Sequence, residues 1–145
     1  MINSVVIGKL KIGVDLRERI VEMAKKEGVK SGVFLSGLGA LEKAVFQNAK
    51  MIPPDYKMDD KHRSYVEINH PLTLLSLSGW IATKKDGEIE VHPHFTASTV
   101  IDGKIVTLGG HLTKGTITSI SCVMIIGLID DPKIFAAKDQ TELCW

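Results

Sequence analysis

The dipeptide Asp102-Gly103 constrains the fold of this chain more than any other feature. A type I′ turn needs positive φ at both central residues, and Asp-Gly is among the strongest short signals for a two-residue β-hairpin. With this pair as the turn, Ile101 faces Lys104, and every further cross-strand pair has residue numbers that sum to 205. The arm before the turn alternates: Ile89, Val91, Pro93, Phe95 and Ala97 fall on one face, and Glu88, Glu90, His92, His94, Thr96 and Ser98 on the other. Side chains along a strand repeat every two residues, so His92 and His94 share the polar face. The register then sets His94 directly opposite His111, with His92 one step along the same face.

Opposed Cβ atoms lie about 4.5–5.5 Å apart, so three imidazoles can converge on one ion. Neutral imidazole is a common metal ligand, and three protein ligands with an open fourth position is the pattern of catalytic zinc. No cysteine lies nearby, so a closed structural zinc site is not expected. The same spacing also suits a solvated polar face or purely structural histidines. Two features bear on the register: Gly109-Gly110 is a candidate bulge, and Pro93, which cannot donate to a ladder, points to an edge strand or a bulge.

The rest of the chain supplies one helix and many strands. Ser4 to Leu10 reads as a strand. Asp15-Leu16-Arg17-Glu18 resembles a capping box, and Leu16, Ile20, Met23 and Ala24 share a helical face, so a helix is expected over Leu16 to Glu27 with Gly28 ending it. Ser31 to Ser36 reads as a short strand. The following Gly37-Leu38-Gly39-Ala40 lacks the further residues of a phosphate-binding loop and marks a tight turn or a close backbone approach. Strands are also expected over Leu41 to Asn48, Tyr65 to Asn69, Leu72 to Thr83 and Thr116 to Ile129. Met51 to Asp60 forms a loop, Lys85-Asp86-Gly87 a turn, and the residues after Asp130-Asp131-Pro132 a tail. Without βαβ alternation, this order implies an α+β fold: one main helix packed on a mostly antiparallel, strongly curved β-sheet, in a single domain over 1–145.

Composition narrows the function. Eighteen Lys and Arg against seventeen Asp and Glu give a net charge of +1, with the signs interspersed. A polyanion-binding surface would show as a basic stripe, so DNA is not an expected partner. The longest apolar run, Cys122 to Ile129, is far short of the ~20 residues of a membrane span, and no secretory signal is legible at the N-terminus. Cys122 reads as a small buried hydrophobe and Cys144 as a loose thiol near the end, which suggests a reducing, cytoplasmic setting.

Other chemical candidates are weaker. His62 lies in a charged loop and is expected in solvent, while His70-Pro71 reads as a turn between strands. No serine sits in a nucleophile elbow, and Cys122 has no electropositive neighbour in sequence to activate it. Glu42, Glu67, Glu88 and Glu90 are candidates for a base or a fourth ligand, and sequence position does not choose among them.

Taken together, Gly13-Val14-Asp15-Leu16, Ser36-Gly37-Leu38-Gly39-Ala40, Leu75-Ser76-Leu77-Ser78-Gly79, Val91-His92-Pro93-His94 and Gly109-Gly110-His111-Leu112 resemble the PPC domain (plants and prokaryotes conserved). The resemblance extends to the tail Phe135 to Leu143, with Asp139-Gln140-Thr141. It implies an α+β domain assembling as a homotrimer, with the histidines near a cleft. The His-x-His and later His are also similar to the zinc site of acetolactate decarboxylase. Two departures limit the transfer. Family members commonly carry a glutamate where this chain has Val123, so no acid-base role passes to that position. The Arg-Gly-Arg-Pro AT-hook of the nuclear plant members has no counterpart, which removes the main support for a DNA-associated architectural role.

The expectation is therefore a trimeric protein of the prokaryotic type. In it His92, His94 and His111 hold a divalent metal, zinc in first rank, that binds or acts on a small anionic or carbonyl ligand. Whether it is an enzyme stays open. The rivals are a DNA-associated regulatory protein and a scaffold with structural histidines.

Overall fold

The computed structural model describes residues 2–131. The tail after Asp131, Cys144 and the Phe135 to Leu143 resemblance lie outside the described residues. Among the described residues eight strands and one α-helix follow in order: β1 (Ile2–Lys9), α1 (Leu16–Lys26), β2 (Gly32–Ala49), β3 (Arg63–Ile68), β4 (Leu72–Thr83), β5 (Ile89–Ile101), β6 (Lys104–Leu112), β7 (Ile117–Thr118) and β8 (Val123–Ile129). All pair in one antiparallel sheet of order β1-β8-β2-β4-β5-β6, with β3 and β7 also on β2. β6 returns to β2 through Phe46↔Leu112 and Gln47↔His111. The circuit β2-β4-β5-β6 thereby closes, which is the strong curvature expected.

The helix forms where its caps dictate. The Asp15 carboxylate accepts the Glu18 N–H at 3.0 Å, satisfying a donor that the first turn leaves orphaned. Leu16, Ile20 and Ala24 are fully buried on one stripe. They pack into a core with Phe34, Ile81, Val91, Met124 and Ile126. Inside the closed circuit Phe46 and Phe95 stack with centroids 4.6 Å apart. No helix among the described residues is long and apolar enough to cross a membrane.

Four local expectations are corrected. The two strands expected on either side of Gly37 to Ala40 are one 18-residue strand, β2. The glycines there serve close approach, since a Cβ on Gly39 would meet the backbone of Cys122. The strand expected over Thr116 to Ile129 is broken, because the chain steps away from β2 at Ser121, whose φ is +56°, opposite that approach. Pro93 is buried within β5 between β4 and β6, not at an edge. It faces Gly79, whose φ of +115° brings the β4 backbone against the His92 carbonyl, where a side chain would not fit. His62 is buried at 7% exposure rather than solvated. Its ring accepts the Asp59 N–H at 3.2 Å and so closes the 3-10 turn Asp60–His62.

Candidate metal centre

The hairpin positions the histidines. Asp102 and Gly103 both adopt positive φ, 49° and 73°, as a type I′ turn requires. Pairing runs without a bulge from Ile101↔Lys104 to His94↔His111, so Gly109-Gly110 does not shift the register. Gly110 instead lets β6 lie against β2, where a Cβ would crowd the Gln47 carbonyl.

The three imidazoles then meet at one point. One nitrogen from each of His92, His94 and His111 lies within 4.8 Å of the others. His94 Nε2 and His111 Nδ1 are 3.2 Å apart. Ring centroids are 4.5 Å apart for His92 and His111, 4.7 Å for His94 and His111, and 5.1 Å for His92 and His94. His94 is exposed, and the other two are half-buried.

Electrostatics keep lone pairs available. Burial pushes the His111 ring down to about 4, helped by His92 and His94 and then by the charges of Arg63 and Arg17. Burial also lowers His92, with His94 adding to the effect and Glu90 opposing it. Both rings are therefore neutral at pH 7, the form in which imidazole can ligate. Tetrahedral zinc holds nitrogens at about 2.0–2.1 Å, which puts neighbouring ligand atoms about 3.3–3.4 Å apart. The 3.2 Å separation of His94 and His111 fits that donor set; it equally fits a single N–H···N hydrogen bond.

The carboxylate candidates separate. Glu90 acts on His92 through its charge. Glu88 pairs with Lys25 at 3.2 Å and Glu67 with Lys43 at 3.5 Å, both on the surface. Glu42 is exposed. None of the four joins the histidine cluster. His70 lies apart, its Nδ1 3.1 Å from the Thr99 hydroxyl. Cys122 is buried, and burial pushes its thiol up to about 11, which leaves it inert as a nucleophile.

Sequence reasoning missed Trp80, which stacks on His92 with centroids 5.0 Å apart and planes 6° from parallel. The signal was present, because the turn at Lys85-Asp86-Gly87 carries its own register, in which Trp80 faces His92. The arginines whose charges act on His111 had no such signal, since Arg17 lies on α1 and Arg63 on β3, both remote from it in sequence.

The model of the Plants and Prokaryotes Conserved (PCC) domain matches residues 2–130. Among solved structures, a metal-containing protein from Archaeoglobus fulgidus is similar at 25% identity and a TM-score of 0.68, covering 88% of this chain and 81% of that one. A plant- and prokaryote-conserved (PPC) protein from Pyrococcus horikoshii has 22% identity and a TM-score of 0.68, with 89% and 81% covered. A protein from Bacteroides thetaiotaomicron described as a "putative dna binding protein" has 18% identity and a TM-score of 0.71, with 90% and 82% covered. No curated protein matches the chain.

Proposed function

The chain belongs to the Plants and Prokaryotes Conserved (PCC) domain family, and on that footing we propose that it is a homotrimeric metal-binding protein of the cytoplasm. His92, His94 and His111 would hold one divalent ion, zinc before others, and the open side of the ion would receive a small anionic or carbonyl ligand. One observation carries this reading: one nitrogen from each of three imidazoles converges within 4.8 Å on one face of a hairpin whose register the turn fixes. The description of the similar Archaeoglobus protein as metal-containing supports it. Bound zinc polarises carbonyl oxygens and makes its water a hydroxide source near neutral pH. The chain's own contribution is to orient: Trp80 fixes the His92 ring, and the β5–β6 ladder fixes the other two. Elemental analysis of purified protein tests the proposal, with one ion per chain expected. A crystal structure with the ion elsewhere, or protein that takes up none, would end it.

Support for a trimer lies in the outer face of the sheet. Ile2, Val5 and Ile7 of β1 and Leu35 and Leu38 of β2 are exposed there. The register sets them around half-buried Val123, Ile125 and Ile129 of β8, so the aliphatic surface is continuous. Contiguous apolar surface of this kind is characteristic of association sites.

A DNA-associated role is the second reading, favoured by the description of the Bacteroides protein as DNA-binding. The charge balance speaks against it, because Lys and Arg contacts to phosphate supply most non-specific affinity and three chains of net charge +1 offer few. Fluorescence anisotropy with duplex DNA at physiological salt separates the two readings. Absence of a sub-micromolar complex is expected, and a salt-sensitive one would favour the DNA role.

A further inference from the structure

The connection from β3 to β4 holds an imidazole in one defined state. Thr99 of β5 is buried, and its hydroxyl donates to the Pro71 carbonyl at 2.8 Å. The same oxygen lies 3.1 Å from Nδ1 of His70. A hydroxyl has a single hydrogen to give, so toward His70 it can only accept, and Nδ1 carries the proton of the neutral ring. Nε2 is then a bare acceptor. It has no hydrogen-bond partner among the described residues, and His70 itself is exposed.

His70 lines a cavity of about 460 Å³ at the end of the sheet where β4 begins. Three strands build it. Ala40 of β2 pairs with Thr73 of β4, and Thr73 pairs with Ser98 of β5. Val100 stands two residues beyond Ser98 and pairs with Ile105 of β6. Paired residues share a face, as do residues two apart on a strand, so these five side chains leave one side of the sheet. Val100 and Ile105 are exposed aliphatics, and the hydroxyls of Thr73 and Ser98 can donate or accept. No Asp, Glu, Lys or Arg lines the cavity. Apolar walls with a few placed polar groups are the pattern of small-molecule sites, and the volume lies in their range of about 300–1,000 Å³. The cavity is separate from the histidine cluster. None of the three cluster residues lines it, and Ser98 is about 13 Å along the strand from His94.

We propose that this cavity is a second binding site, which takes a small neutral molecule bearing a hydroxyl on an apolar body, an alcohol or a phenol. His70 Nε2 accepts the O–H of the ligand, and Val100 and Ile105 cover its apolar part. Thr73 and Ser98 offer further bonds to the ligand oxygen. Thr99 is the positioning residue, since its hydroxyl fixes which nitrogen of His70 is left to accept. An anion meets no fixed cation here, and a ligand without a donor leaves Nε2 unpaired.

The test uses full-length protein as purified, isotope-labelled in its histidine rings and methyl groups. Phenol and its methyl ether, anisole, are titrated separately by NMR. Before any addition, the ring nitrogen shifts of His70 should place the proton on Nδ1; a proton on Nε2 overturns the site. Phenol should shift the His70 ring and the methyl groups of Val100 and Ile105 saturably, while the rings of His92, His94 and His111 stay unmoved. Anisole has the same apolar body and no O–H, and it should bind about threefold to tenfold more weakly, as loss of one hydrogen bond does. His70→Phe keeps a ring without an acceptor, and it should bring phenol down to the level of anisole. Equal binding of phenol and anisole by the wild type overturns the proposal. So does wild-type affinity for phenol in His70→Phe, or the lack of a saturable shift at the cavity residues. Should His70→Phe not fold, the comparison of phenol with anisole on the wild type decides by itself.

Discussion

His94 of β5 and His111 of β6 stand directly opposite each other, with Nε2 of the first 3.2 Å from Nδ1 of the second. That pairing follows from the turn eight residues from either ring, and the hydrophobic interior lies on the other face of the strand. Phe95 and Leu112, their neighbours in sequence, are both buried.

Replacing His94 by alanine should therefore abolish metal uptake and leave the domain folded. His94 is exposed, so its removal forfeits little apolar burial, which contributes about 25 cal/mol per Å². Two remaining imidazoles make an incomplete donor set. The variant should melt below the metal-loaded wild type, and the gap should close when both are treated with chelator. Full metal occupancy would remove His94 from the ligand set, and global unfolding would make it a structural residue instead.

In metal-free protein the cluster should make stability fall with acid. Burial holds His111 down at about 4 and lowers His92 as well, whereas the unfolded chain takes up these protons near pH 6.5. Between those values the unfolded state binds more protons, so stability drops as pH falls from about 6.5 toward 4. Chemical denaturation of chelator-treated wild type and His111→Gln over this range checks it. The variant should show a shallower slope, and parallel slopes would contradict the assignment.

Gly79→Ala should damage the site from behind. Gly79 has a φ of +115°, and its missing side chain leaves room for the His92 carbonyl. The backbone conformation alone costs a non-glycine residue about 1–3 kcal/mol, before the clash is relieved by parting β4 from β5. Thermal melts should show that loss, and zinc affinity should fall with it because Trp80 and His92 sit one residue further on each strand. Wild-type stability in the variant would show that the two strands separate freely here.

The exposed aliphatic face predicts its own disruption. Light scattering should give the mass of three chains for the wild type. Ile7→Lys, at a position 66% exposed within a chain, should shift that mass downward without unfolding the protein. A wild-type mass of one chain would contradict the trimer.

Much of the site was legible because strand geometry is local. A period of two puts His92 and His94 on one side, and an Asp-Gly turn admits essentially one register, so the three histidines could be assembled from sequence. The helix was equally legible from Asp15, its apolar stripe and Gly28, and its observed end differs by one residue. Reading failed where long-range packing overrides local signals. The Gly37 to Ala40 segment carries turn residues, yet β8 and β4 pair along both sides of it and hold it extended within β2. Pro93 carries an edge signal, yet Gly79 makes room for it inside the sheet. His62 sits among charges, yet its ring is used to close the turn before β3.

By itself, then, the sequence determined the hairpin, the helix and the shared face of the three histidines, since each depends on backbone preferences and side-chain periods spanning a few residues. Only the tertiary structure decided that β6 returns to β2 and that the start of α1 docks on the segment after β6. Those placements depend on pairings between segments far apart in the chain, Gln47 with His111 and Leu16 with Thr116 among them. They form when burial of a common core outweighs the entropy of closing the loops between them.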